Sequence, residues 1–411
     1  MPSVFLVAFG LACFGVSPAA QALNPPPDGD YPGGNTAEGQ NALFRLTTGL
    51  FNTASGFAAL FSNTTGSSNT GTGSDALFSN TTGNNNTATG DGALQRNTTG
   101  GNNTATGEQA LLNNTTGRDN TATGGSALQR NDIGRDNTAD GFQALNSNID
   151  GISNTADGSQ ALLSNTDGSF NTAVGRLALS NNTGGNFNTG VGQFALFNTM
   201  GGANTGVGYG ALFSNTAGRN NTALGYFAGF NVADALNVIC IGYNVPGANV
   251  SNTTWIGNVY GVTTQNTTTA PVIVSANGQL GTVASSERFK KDIATMDKAS
   301  ELILSLRPVT FHYKSDAKGT PQFGLIAEEV AKVNPDLVLP DKEGKPYTVR
   351  YDAVNAMLLN EFLKEHRKVQ KLEANAVRQQ RQIEALTAGL QKVSAQLEVS
   401  KPAPQTVLNN Q

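Results

Sequence analysis

One motif recurs along this chain at a fixed distance, and the distance limits what the chain can fold into. Aligned on Asn-Thr-x-x-Gly, the Asn falls at 35, 52, 69, 86, 103, 120, 137, 154, 171 and 188, so each step is 17 residues. One residue is then dropped, giving Asn204, and the period resumes at Asn221. A typical unit is NTATGDGALQRNTTGGN (86–102), with Ala-Leu three residues after the first Gly and a second turn, Asn-Thr-Thr-Gly, beyond it. A fixed period of this kind marks a repeat architecture, in which each unit is one small structural step.

Each unit offers two short stretches able to form strands, punctuated by two glycine turns. No unit can bury its own Ala and Leu. Stacked coils would pile Leu94, Leu111, Leu128, Leu145 and Leu162 into one continuous row, with Asn and Thr forming ladders that satisfy the turns. The expectation is a mainly β N-terminal two-thirds: a parallel β-solenoid or β-roll over 35–230, with a dozen coils spanning roughly 55–60 Å at about 4.8 Å each. From 231 to 284 the rhythm loosens into a β-rich neck, where Cys240 and Trp255 suit core or inter-chain packing better than chemistry. The repeats resemble those of trimeric bacterial surface adhesins and phage tail fibres, which implies an extended, surface-exposed fibre.

Composition excludes several functions. With 26 Lys and Arg against 30 Asp and Glu, and no basic stripe in the repeats, nucleic acid is not an expected partner. The repeats contain no His and few regularly placed carboxylates, so neither a metal nor a cofactor is expected; Asp140, Asp157 and Asp167 read as solvated turn residues. Residues 1–22 carry an apolar run from Val4 to Val16 and then Ala20-Gln21-Ala22, a secretory pattern with cleavage expected after Ala22, although a basic n-region is missing. That run is too short for a membrane span, so the mature protein is expected at the cell surface or secreted. Cys13 would be lost with the leader, leaving Cys240 without an intrachain disulfide partner. A Pro/Gly-rich leader occupies 23–34.

Lys290 is the first lysine in the chain, and from there onward the composition is that of a charged domain. ATMDKASELILSLRP has apolar residues at helical spacing and stops at Pro308, VTFHYK (309–314) and YTVRY (347–351) read as strands, and PQFGLIAEEVAKVNPD passes from strand to helix. A long helix follows from about Asp352, with Leu358, Phe362, Val369, Leu372, Ala376, Ile383, Leu386, Leu390, Val393 and Leu397 on heptad positions a and d. Glu365 and Gln379 are the polar exceptions on this seam, which predicts a coiled coil over 354–400 before a flexible tail at 401–411.

Four stretches in this order, SSERFKKDI, LRPVTFHYK, FGLIAEEV and VRYDAVNAMLLNEFLKEH, resemble the endosialidase-type intramolecular chaperone domain. The resemblance covers roughly 285–370 and implies an α+β domain (285–365) that trimerises, helps the β-rich fibre to fold, and then cuts itself off. The family motif is Ser-Asp-x-Arg-x-Lys, with the cut immediately before the Ser. Here Ser285 matches the nucleophile, Arg288 the Arg and Lys290 the Lys, while Ser286 stands where Asp is usual. The scissile bond would be Ala284–Ser285. A serine hydroxyl needs a base, and lysine serves where burial or neighbouring cations favour its neutral form; Arg288 and Lys291 are close in sequence. The two histidines, His312 and His366, complete no Ser/His/Asp set.

The reading is a homotrimeric fibre with a single-turnover Ser-Lys self-cleaving domain, acting on no external substrate. Its alternative is a structural fibre whose trimerisation domain stays attached. A hydrolase or ligand-binding adhesin lacks a paired-carboxylate or nucleophile signature in the repeats.

Overall fold

The structure is a computed structural model describing residues 30–262, 264, 269–275 and 277–400; the proposed leader cleavage and the 401–411 tail lie outside the described residues. The chain divides into two compact units, residues 1–267 and 268–411.

The first unit is a parallel β-solenoid. A two-residue strand, Asp30–Tyr31, pairs antiparallel with Asn35–Glu38 and opens the stack. Thereafter each coil adds a strand in parallel register with its equivalent one coil on, as Thr121 pairs with both Thr104 and Thr138. The 16-residue coil keeps the same register, Thr189 opposite Thr205. The ladder continues through Ile239–Ile241 and Thr254–Ile256. The row of leucines forms as the spacing requires: Leu94, Leu111, Leu128, Leu145 and Leu162 are all fully buried, together with the alanines beside them.

After the four-residue Asn35–Glu38, each coil contributes one three-residue strand, not two, and the reason is backbone geometry. In the coil 120–136, Thr121–Thr123 is the strand. Beyond it Ser126 (φ 56°), Leu128 (φ 49°) and Asp136 (φ 58°) adopt the left-handed region, which breaks any second strand. Non-glycine residues in that region are strained by on the order of 1 kcal/mol each, so every coil stores strain that only stacking can offset. Asp140 and Asp157 likewise differ from expectation, since both lie at exposed strand ends and not in turns.

Stacking satisfies the polar groups. Asn120 is fully buried. Its carboxamide donates to Asn103 Oδ1 (3.1 Å) and to the Gly134 carbonyl (2.9 Å), and its own Oδ1 accepts from the backbone N–H of Asn137 (3.1 Å). A second ladder runs through the Asn of the second turn: Asn131 donates to Asn114 Oδ1 (2.7 Å) and to the same Gly134 carbonyl (3.0 Å). The two ladders therefore converge on one buried carbonyl per coil.

Glycine is required where coils approach most closely. A Cβ on Gly124 (φ +128°) would lie 2.5 Å from the Gly141 carbonyl oxygen of the next coil. On Gly125 it would meet only the Phe142 ring edge, at 3.6 Å. Gly124→Ala is therefore expected to lower solenoid stability by about 2–3 kcal/mol or more, whereas the adjacent Gly125→Ala changes it by less than about 0.5 kcal/mol. Thermal unfolding of the two variants side by side checks this, and equal midpoints would contradict the packing described.

Candidate functional site

The residues singled out for self-cleavage lie at the start of the charged unit. A short 3₁₀ turn, Glu287–Phe289, follows Ser286 and closes with the Lys290 N–H donating to the Glu287 carbonyl (2.9 Å). The Arg288 guanidinium sits over the Phe289 ring, 4.6 Å from its centroid. Ala284, Ser285, Arg288 and Lys290 are all exposed. The turn brings them within six residues of one another along the chain, but among the described residues no hydrogen bond joins Ser285 Oγ to Lys290 Nζ. Apolar side chains nearby, Val283, Phe289 and Ile293, are also exposed.

Behind this segment the unit folds as α+β. The amphipathic stretch before Pro308 forms a 3₁₀ helix, Asp297–Ser305, with Ile303 and Ser300 facing inward. Val309–Phe311 pairs antiparallel with Gln322–Gly324, and Val338–Pro340 with Pro346–Val349. Helix α1 (Ala327–Val333) and helix α2 (Tyr351–Val399) complete the unit. Val330, Leu337 and Val349 form its small core, with Leu302, Leu306 and Met357 packed around them. Alongside runs an apolar groove of about 680 Å³ whose walls include Ile303, Leu306, Val309, Phe323, Val354 and Leu358.

Two polar clusters hold this unit together. Ser300, fully buried, donates to Glu361 Oε1 and accepts from Asn360 Nδ2 (2.7 Å), while Lys364 Nζ donates to the same Glu361 oxygen (2.7 Å). The cluster pins the 3₁₀ helix to α2. Hydrogen bonds from Lys364 and then Ser300 hold the Glu361 carboxyl below the usual carboxylate range, and the bond to Glu361 raises the Lys364 ammonium above its own. Arg307 forks onto Glu329 (Nε to Oε2, 3.1 Å), which lowers the Glu329 carboxyl in the same way. The Lys364–Glu361 spacing is visible on a helix, but Ser300, about 60 residues away, carries no sequence signal that would connect it to them. Glu329 has its partner, Arg307, within the same unit.

Helix α2 runs for 49 residues and contains no fully buried residue. Leu358, Phe362, Leu372, Leu386, Leu390 and Leu397, on its heptad seam, are 57–70% exposed. An apolar seam of this length on a single helix has nothing to bury it within the unit. Among the described residues no helix is long and apolar enough to cross a membrane, and no cluster of three His, Cys, Asp or Glu is placed to hold a metal ion.

The chain is a parallel β-solenoid followed by a small α+β unit that ends in a long helix. Residues 285–339 match the family model described as chaperone of endosialidase, and the first matched residue is Ser285. No curated protein and no solved structure matches the chain.

The polar clusters set a pH dependence. Glu361 and Glu329 have folded values below the ordinary 4.5, so their contribution is complete above that pH and is lost as pH falls through the lowered values. Lys364 contributes below 10.5 and loses this as pH rises through its raised value. Thermal unfolding followed by the helical circular-dichroism signal is expected to show an acid limb below about pH 4.5 that Glu361→Gln makes shallower. An acid limb unchanged by the variant would remove Glu361 from this account.

Proposed function

We propose that the chain is a secreted or surface-exposed trimeric fibre, in which the C-terminal unit gathers three copies, aids folding of the solenoid and is then released by self-cleavage between Ala284 and Ser285. The observation that carries this reading is the family match at 285–339, C-terminal to a repeat stalk and before most of a helix with an unburied heptad seam. Three copies of α2 would bury that seam in a coiled coil, with Glu365 and Gln379 at polar d positions able to fix register and oligomer state.

The proposed cleavage is a single turnover. Ser285 Oγ attacks the carbonyl carbon of Ala284 as Lys290 takes the hydroxyl proton. The C–N bond breaks, the Ser285 nitrogen receives the proton, and an ester joins Ala284 to Ser285 Oγ. Water hydrolyses the ester, leaving a stalk that ends in the Ala284 carboxylate and a released unit that begins with Ser285. Arg288 is the supporting cation. The exposed Ser285 and Lys290, not hydrogen-bonded to each other in a single copy, require an approach that assembly would supply. The same observation, with Ser286 in place of Asp, favours the second reading, a fibre that keeps its trimerisation domain.

Denaturing gels and intact mass separate the readings. Wild-type protein is expected to yield a fragment ending at Ala284, Ser285→Ala and Lys290→Ala to stay full length, and Ser286→Asp to cleave at least as fast as wild type. A wild-type band indistinguishable from Ser285→Ala would eliminate self-cleavage and leave the permanent trimer. Sedimentation of Ser285→Ala is expected to give three chains, and a monomer would contradict both readings.

A further inference from the structure

The solenoid surface changes character along its length, and the change is confined to particular columns of the repeat. The fourth residue of each coil, at the outer end of the strand, is Thr72, Thr89, Thr106, Thr123, Asp140 and Asp157 in six successive coils. From the next coil onward the same place holds Val174, Val191, Val207, Leu224, Ile241 and Ile256, unbroken to the last rung. The fold does not demand apolar residues there, because earlier coils make the same strand with Thr or Asp.

The sixth residue, just past the glycine corner, changes as well. Mixed in the earlier coils, where Phe57 and Phe142 alternate with polar residues and Arg176, it settles into Tyr209, Tyr226 and Tyr243 in three successive coils, whose rings stack at 5.3 Å and 5.2 Å. Beside them Phe194, Phe197, Phe213, Phe227 and Phe230, with Tyr209, line a groove of about 320 Å³. Two apolar faces, one aliphatic and one aromatic, thus meet along the corner marked by Gly208, Gly225 and Gly242. Leu224 is 51% exposed and Tyr243 74%. Between Val174 and Ile256 the only charged residues are Arg176, whose guanidinium lies over the Phe194 ring at 5.9 Å, and Arg219 and Asp234, which both belong to the far, Thr-Thr-Gly side of the coil. At the ordinary strand spacing the aliphatic column extends for about 25 Å and the tyrosine column for about 10 Å, and a contiguous exposed apolar patch of this kind marks an interaction surface.

We propose that this corner of the last coils is an interface between copies of the same chain, the aliphatic face of one solenoid packing on the aromatic face of the next, while the polar coils before Val174 stand free of one another. The proposal rests on the trimeric reading above and adds where the stalks touch. A closed three-fold ring needs two different, adjoining faces on each copy, and the corner supplies them. The apolar columns occupy the end of the stack that lies nearest in sequence to the unit proposed to gather the copies. Tethering there raises the effective concentration of the faces to the millimolar range. A glycan would need polar groups beside the rings, whereas the groove is lined by aromatic rings alone.

The test is thiol labelling of the full chain in the Ser285→Ala background, so that the unit is retained whether or not cleavage occurs. Leu224→Cys and Tyr226→Cys report the two faces; Thr89→Cys and Asp91→Cys report the same two columns among the polar coils. Cys13→Ala removes the other native thiol, and the fully buried Cys240 sets the background. In protein that sediments as a trimer, maleimide is expected to modify the first pair at least about tenfold more slowly than the second, since an interface thiol reacts only on local opening. Adding Leu386→Asp and Leu390→Asp, to break the α2 seam, is expected to abolish the protection. Equal labelling of all four positions in a trimer would overturn the proposal and leave the trimeric reading intact. Protection that persists after dissociation would overturn it in favour of cover from within one chain. A monomeric Ser285→Ala protein would remove the reading on which it rests.

Discussion

No coil of this solenoid completes its hydrogen bonding without its neighbours, and the rest of the structure follows from that dependence. The Thr121 N–H donates to the Asn137 carbonyl and the Leu128 N–H to the Ala144 carbonyl, both in the following coil. The buried Asn ladders do the same with side chains, and a buried carboxamide left without its partner would cost about 1–3 kcal/mol. An isolated coil therefore has its left-handed Ser126, Leu128 and Asp136 strained, its Asn side chains bonded only to Gly134 of their own coil, and its Leu exposed. Stability appears only when several coils stack, and the first stack is the hard step.

That constraint would give the proposed C-terminal assembly unit a physical purpose. Coils of near-identical sequence can pair out of step, because Thr138 would accept the neighbours of Thr121 or Thr155 almost equally well. A unit that fixes several chains at a common starting rung suppresses such slips. If the unit is then removed, the finished stack has lost the element that nucleated it, and its persistence becomes a matter of unfolding rate. The charge step at Lys290 fits this division of labour: the segment before it is a lysine-free stack, and the segment after it is held by ion pairs such as Arg307–Glu329.

Much of this was legible in the sequence, for identifiable reasons. The 17-residue spacing forces Leu94, Leu111 and Leu128 into register, so the core row could be read directly. The helix from Tyr351 and the two strand segments Val309–Phe311 and Pro346–Val349 were readable because apolar periodicity is strong in each. The second strand per coil failed because nothing local marks Ser126 or Leu128 as left-handed; the conformation is imposed by the neighbouring coils, and both residues disfavour it when isolated. The Ser300–Glu361–Lys364 cluster was invisible because it joins elements distant in sequence. For Ser285 and Lys290 the sequence offers only a motif, and the local turn Glu287–Phe289 does not hydrogen-bond the two side chains to each other.

Refolding tests the central claim, that the C-terminal unit directs the folding of the stack. Ser285→Ala full chain and a chain ending at Ala284 would be denatured, diluted into buffer at equal concentration, and followed by sedimentation and protease resistance. The account predicts that the full chain regains a protease-resistant trimer while the shorter chain aggregates or stays sensitive. Equal recovery of a resistant solenoid from both chains would contradict it.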